Sequence, residues 1–410
     1  MSDAHPLHVC VVAACPFPEP RGTPVRIQRL SEAVARLGHR VSVLTYHLGS
    51  ADAPALLELH RIRDVPSYTK TGPGPSLGKL TKLDPMLVRR LRGFLRENRV
   101  DVIHAHHYEG LLVALAGSRG SALPVVYDAH TMLSTELPEY GFALPRSLLR
   151  VLGRFLDRRI PKRADHVIAV TDSMKAKLEA LGVASDRVTV ISQGIEEEAF
   201  RSGSNGGGAV EGRGARSATV VFAGNLASYQ GIDSLLEAIA IARRSRPDLR
   251  LRILSDSSFD PYEARSMALG IREAIDIEAV AVSALPAALR EAAVTVNPRV
   301  DCDGIPIKLL NYMAAGRPIV SYGGSYPIRS EEPTAFLVRD GDVDAFAAAI
   351  VSLLEDPAAA EALGRAGRRY AEAHHDWARI AECTERIYRR VIAARRGDAS
   401  GRQSTGGEGT

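Results

Sequence analysis

Short runs rich in valine and isoleucine alternate with longer amphipathic stretches along this chain, and the alternation runs through twice. The first series has apolar runs at 8–14, 40–45, 100–106, 124–129, 166–170 and 187–191, with a first helical stretch at 25–37. Runs this continuous suit strands covered on both faces, as in a parallel sheet flanked by its crossover helices. The pattern stops at 201–218, which is dominated by glycine and serine and has no apolar period, a connector composition. A phosphate-cradling glycine loop would need a strand directly before it and a helix directly after it. The series then restarts, with strands at 219–223, 249–254, 276–281, 294–297 and 318–321 and helices at 232–245, 285–291 and 306–315. The expected fold is α/β: two Rossmann-like halves facing each other across a cleft, with ligands at the carboxyl ends of the strands.

At 410 residues the chain exceeds what one hydrophobic core usually serves. The expected domains are 1–200 and 219–372, joined by the flexible linker 201–218. A C-terminal helix at about 373–395 is expected to pack back on the first domain, and 397–410 to form a disordered tail. The 52 Lys and Arg residues nearly balance 48 Asp and Glu, for a net charge of +4, which excludes a dedicated nucleic-acid binder. Cys10, Cys15, Cys302 and Cys383 form neither a zinc pattern nor a disulfide scaffold, and point to a reducing cytoplasm. The opening residues read as the lead-in to a strand rather than a secretory leader, and no stretch of about twenty apolar residues occurs.

Several segments carry chemistry. In PEPRGTPVRIQRLSEAVARLG the Gly22 turn, with Thr23 after it, precedes a helix whose backbone N–H groups can meet an anion, and Pro24 suits its first position. In DVIHAHHYEG, His104 and His106 fall on one side of a strand at its carboxyl end. VVYDAH ends another strand at His130. His104, His106 and His107 form a possible metal cluster only if a carboxylate or cysteine completes it, and none is placed for this by the sequence. Asp301 and Asp303 mimic a divalent-ion pair, but belong to a different architecture from two tandem Rossmann halves. Asp340, Asp342 and Asp344 lack the glycine and glutamate of a calcium loop and read as a helix lead-in and cap.

Taken in order, these segments together with DRVTVISQGIEEEAF, VVFAGNLASYQGIDSLLEA, DGIPIKLLNYMAAGRPIVSYGGSY and DGDVDAFAAAIVSLLEDP resemble glycosyltransferase family 4 from about His8 to Tyr388. The resemblance implies a GT-B fold and a metal-independent, cofactor-free transfer with retention of anomeric configuration. It also implies a UDP- or GDP-sugar donor held mainly by the C-terminal half. On that basis His106 matches the histidine near the transferred sugar, and Gly22 the glycine loop by the donor phosphates. Glu196 and Phe200 match the segment before the crossover. The candidate catalytic residues are His106, His130 and Asp303. The candidate donor-binding residues are Gly22, Thr23, Gly224, Asn225, Gln230, Arg299, Gly304, Ile305, Pro306, Lys308 and Asn311.

Two family cations are replaced by Asn225 and Gln230, and two family glutamates by Asp303 and Asn311. A pyrophosphate without cationic partners would face a large desolvation cost, so Arg299 and Lys308 are expected to supply the charge instead. The departures leave open a nucleotide-sugar epimerase or hydrolase, or a binding protein without turnover. The acceptor is a glycan, a lipid-linked compound or a small molecule. In 145–164, Arg146, Arg150, Arg154 and Arg158 recur every four residues beside an apolar stripe, the pattern of a helix resting on an anionic membrane or of a solvated basic face.

Overall fold

The computed structural model describes residues 5–19, 22–50, 54–70, 76–139, 144–195, 218–281, 284–302 and 305–404. Asp303, Gly304, Glu196, Phe200 and 201–217 of the expected linker lie outside the described residues. The chain divides into two compact units, Met1–Ser192 with Trp377–Thr410, and Gln193–Asp376.

Unit 1 is built on seven parallel strands: β1 His8–Ala13, β2 Arg40–Thr45, β3 Glu58–Arg61, β4 Val102–His106, β5 Val125–Ala129, β6 His166–Ala169 and β7 Val188–Val190. They lie in the order β3-β2-β1-β4-β5-β6-β7. Side chains alternate between two covered faces. In β1, Cys10 and Val12 enter one core with Leu44, Leu87 and Ile103, while Val9 and Val11 enter the other with Ile27, Leu30 and Val43. The crossovers include α1 Gly22–Arg36, α2 Asp84–Glu97, α3 His107–Gly117, α4 Leu133–Glu136, α5 Arg146–Asp157 and α6 Asp172–Ala180. Helix α1 buries Ile27, Leu30 and Val34, the spacing of one helical face.

The C-terminal helix Trp377–Ser404 adds Ile380, Ala381, Ile387 and Tyr388 to the same core. It continues past Gly397, where the sequence suggested a disordered tail. Extending a nucleated helix costs far less than starting one, so weak helix formers at its end still propagate it.

Unit 2 holds six parallel strands, β8 Thr219–Ala223, β9 Arg250–Leu254, β10 Ile275–Glu278, β11 Val294–Asn297, β12 Ile319–Tyr322 and β13 Phe336–Val338, in the order β10-β9-β8-β11-β12-β13. Asp342 caps the helix Val343–Glu355 by accepting from the Ala345 N–H at 3.0 Å.

The strand order reverses in both sheets. β1 lies between β2 and β4, and β8 between β9 and β11. At such a reversal the flanking connections leave on opposite faces, and the carboxyl ends of the two strands open a crevice. Ala13 and His106 end the pair in unit 1, and Ala223 and Asn297 the pair in unit 2.

Candidate functional site

At the β1/β4 crevice the parallel register places Ala13 beside His106 and His106 beside Asp128. A two-residue period puts His104 on the same side as His106, and their ring centroids are 4.3 Å apart. Asp128 is fully buried and accepts from Arg26 of α1, Nε at 3.2 Å and Nη2 at 3.0 Å. The guanidinium also donates to the carbonyls of Ile191 and Ser192, so its charge is held on several acceptors. Around the carboxylate stand His104 and His106, each 3.7 Å away, and His130 at 3.4 Å.

The histidines continue outward as a chain. His106 Nδ1 lies 3.4 Å from His130 Nε2, and the His130 ring stacks on His107 at 4.5 Å. His107 Nε2 meets Thr23 Oγ1 at 2.8 Å, tying the chain to the first turn of α1 beside Gly22. Two backbone positions here are left-handed: Gly22 at φ +48°, which suits glycine, and His107 at φ +62°, which does not. Strain of this kind persists only where surrounding contacts impose it, and it concentrates at working sites. His104 Nδ1 is engaged by Tyr388 Oη at 2.7 Å, but His106 Nε2 is buried and has no hydrogen-bond partner among the described residues. Such a group is costly unless a ligand atom meets it.

The sequence reading found no carboxylate to join the histidines, and the fold corrects this, because Asp128 joins His104 and His106 with ligating atoms within 4.8 Å. Arg26 already lies 3.0 Å from Asp128 Oδ2, however, so a divalent ion bound there would sit against a guanidinium. His107, Glu109 and Glu136 form a second such group.

Burial, with the charge of Arg26 adding to it, holds the imidazoles of His104, His106 and His130 well below the usual 6.5. All three are neutral at pH 7. Once unfolded, each takes up a proton as pH falls through about 6.5, whereas the folded state takes up none. The unfolded chain therefore binds more protons below that pH, and stability falls with it. Each histidine is expected to remove up to about 1.4 kcal/mol for each pH unit between 6.5 and its lowered value in the fold. A melting temperature of unit 1 that stays flat from pH 7.5 to 5 would show that the imidazoles take up protons in the fold as readily as in the unfolded chain.

In unit 2 two of the residues that depart from the family pattern, Asn225 and Gln230, form one hydrogen-bonded chain with Lys308. Asn225 Oδ1 accepts from Gln230 Nε2 at 3.2 Å, and Gln230 Oε1 accepts from Lys308 Nζ at 2.7 Å. The ammonium also lies 4.0 Å from the Phe222 ring centroid, and a Cβ added at Gly224 would come within 3.3 Å of it. Gly231, at φ +75°, brings this turn against β11, since a Cβ there would meet the Pro298 carbonyl oxygen at 2.2 Å. Arg299 lies over the Tyr229 ring at 4.9 Å and donates to the Asp301 carbonyl. Burial first, then the Arg299 charge, pulls the Lys308 ammonium down to about 7. Ile305 and Pro306 lead into the helix Ile307–Ala314, with Pro306 at its cap and the half-buried Asn311 one turn beyond Lys308.

The fold thus gathers Thr23 and Gly22 with His106 and His130, and Gly224, Asn225, Gln230 and Arg299 with Lys308. Arg26, Asp128 and Tyr388 were not singled out from sequence. Their only signal is Asp128 in YDAH, one register step from His106.

Residues 20–199 match the family model of Glycosyltransferase Family 4, and residues 217–356 that of Glycosyl transferases group 1. D-inositol 3-phosphate glycosyltransferase of Kribbella flavida is 28% identical over 396 residues, covering 90% of this chain and 90% of that protein. Sucrose-phosphate synthase from Thermosynechococcus elongatus superposes with a TM-score of 0.72 at 20% identity, covering 95% of this chain and 100% of that one. HepE from Anabaena, in complex with UDP, gives a TM-score of 0.65 at 17% identity, covering 93% and 99%. At these identities the structural likenesses bear on the fold, and it is the GT-B fold.

Proposed function

The chain belongs to glycosyltransferase family 4, and on that premise we propose that it transfers a sugar, with retention, from a nucleoside-diphosphate sugar to an acceptor hydroxyl. The acceptor is a glycan, a lipid-linked compound or a small molecule; in the Kribbella flavida relative it is named as D-inositol 3-phosphate. UDP, the nucleotide bound in the HepE structure, is the first choice for the donor.

The acceptor oxygen attacks the anomeric carbon on the face from which the diphosphate departs. The C–O bond to phosphate breaks, the new glycosidic bond forms, and the acceptor proton passes to the leaving phosphate oxygen. No metal or cofactor takes part in this scheme. Protein groups position the reactants and offset the charge growing on the diphosphate. Lys308 and Arg299 serve the phosphates, in place of the family cations absent at Asn225 and Gln230. Gly22 and Thr23 serve the donor phosphates and His106 the transferred sugar, with His130 supporting His106. Asp303 remains a catalytic candidate, and Gly304, Ile305, Pro306 and Asn311 donor-binding candidates, through the family resemblance.

The observation that carries the donor reading is Lys308, a half-buried cation on a hydrogen-bonded chain with no carboxylate holding it among the described residues. An ammonium near 7 is poised to charge when an anion arrives. Binding of UDP-glucose at pH 8 is therefore expected to take up close to one proton, detected by calorimetry in buffers of different ionisation enthalpy, and fewer at pH 6. In Lys308→Met the uptake disappears and affinity falls by about 1.5–3 kcal/mol, the range for a hydrogen bond to a charged group. Uridine binding stays unchanged. Affinity within twofold of the unaltered protein, in this variant and in Arg299→Ala, would overturn the donor site. Turnover assays with UDP- and GDP-sugars, with and without an acceptor, separate transfer from hydrolysis; donor consumption that needs no acceptor would sink the transferase reading.

A further inference from the structure

Helix α5 carries a large apolar face that the described residues of unit 1 do not cover. Its inward side is Leu149, Gly153 and Asp157. A Cβ at Gly153 would come within 2.4 Å of Ser134 Cα, and Asp157 accepts from the N–H groups of Leu133 and Ser134 at 2.9 Å each. These contacts leave the helix no freedom to roll about its axis. Turned the other way are Leu148, Val151, Leu152 and Phe155, which are 51%, 61%, 43% and 50% exposed. Their spacing of three, four and seven residues makes them one continuous stripe, and Leu144, 49% exposed, extends it.

Along α5 and the turn after it, the charge has one sign. From 146 to 163 the chain carries seven Arg and Lys residues against one carboxylate, and that carboxylate, Asp157, is buried beneath the helix. Arg150, Arg154 and Arg158 succeed one another along one flank at four-residue intervals. Arg159 lies over the Phe155 ring at 4.3 Å. Beside the flank is a hollow of about 420 Å³ lined by Ser134, Thr135, Pro138, Arg150 and Arg154. Two guanidinium groups and two hydroxyls around one hollow are the groups that hold a phosphate.

A protein partner would be met by an apolar core with a polar rim, and it calls for neither a border of one positive sign nor a phosphate-sized hollow in that border. A bilayer with anionic lipid calls for what is found, an apolar stripe with a cationic border and a phosphate site at headgroup depth. We propose that α5 lies in the interface of an anionic membrane. Leu148, Val151, Leu152 and Phe155 sit at the acyl boundary, and a lipid phosphate occupies the Arg150–Arg154 hollow. Among the described residues no helix is long and apolar enough to cross a membrane, so this contact is peripheral. The surface uses none of the residues assigned to sugar transfer, so its test stands apart from that of the proposed function.

The full chain is mixed with vesicles of phosphatidylglycerol and phosphatidylcholine, or of phosphatidylcholine alone, and bound protein is separated by flotation at low and at moderate salt. Binding is expected to the anionic vesicles and to weaken at least about tenfold when the lipid is neutral or the salt is raised. Leu152→Ser/Phe155→Ser should weaken it at least about tenfold, with melting temperature unchanged because both side chains are already half exposed. Arg150→Gln/Arg154→Gln should weaken binding to the anionic vesicles at least about tenfold and so reduce the preference for anionic lipid. The proposal is overturned by absence of binding at low salt, or by undiminished binding of the Leu152→Ser/Phe155→Ser variant. It is overturned equally by a dimer in vesicle-free sedimentation that the same variant dissociates, since a second copy would then cover the stripe. Undiminished lipid preference in the arginine variant overturns the phosphate hollow.

Discussion

Replacing Asp128 with alanine is expected to destabilise unit 1 by about 3–5 kcal/mol, the cost of leaving one member of a buried ion pair without its partner. The pair is 2% and 0% exposed, so water cannot take over the role of the lost carboxylate. Arg26 would keep the carbonyls of Ile191 and Ser192, which solvate the guanidinium without neutralising it. The double variant Arg26→Met/Asp128→Ala removes the stranded charge and is expected to recover much of the loss. Hydrogen exchange at the amides of β4 and β5, followed with urea, reads the effect in unit 1 without depending on how unit 2 unfolds. A loss under about 1 kcal/mol in Asp128→Ala would mean that the pair contributes little to the stability of unit 1.

This pair marks the limit of what the sequence discloses. Strands β1, β2, β4 and β8 are legible because apolar side chains fall on both of their faces, as a covered parallel strand requires. Glu58–Arg61 and Phe336–Val338 are not legible, because they are sheet edges of three or four residues, with polar or exposed side chains and no periodic mark. His106 and His130 could be found because they end strands, where ligands bind in this class of sheet. Arg26 could not. On a helix that buries Ile27, Leu30 and Val34, an arginine reads as part of the solvated face, and its burial arises from acceptors 102 to 166 positions away in sequence. The Asn225–Gln230–Lys308 chain was half legible: the substitutions and the relocated cation could be seen, but not that one binds the other.

His106 bears the largest expected effect on turnover. Its imidazole is neutral, its Nδ1 faces His130, and its Nε2 is buried with no partner among the described residues. Neighbouring groups thus fix the ring while one nitrogen remains for a ligand oxygen, which is how a site is preorganised before substrate arrives. His106→Ala would confuse this role with packing, because the side chain is 1% exposed and truncation opens a cavity. His106→Gln keeps most of the volume and a terminal amide, but neither holds the ring geometry nor stacks beside His104. Turnover in His106→Gln is expected to fall at least about a hundredfold, the loss seen when one preorganised donor at a transition state is removed, with the melting temperature close to that of the unaltered chain. Affinity for UDP should barely change, since the nucleotide is assigned to Lys308 and Arg299 and not to the histidines. If kcat stays within about threefold while the melting temperature drops, His106 supports the fold of β4, and the residue facing the reacting sugar must be sought among Thr23, His107 and His130.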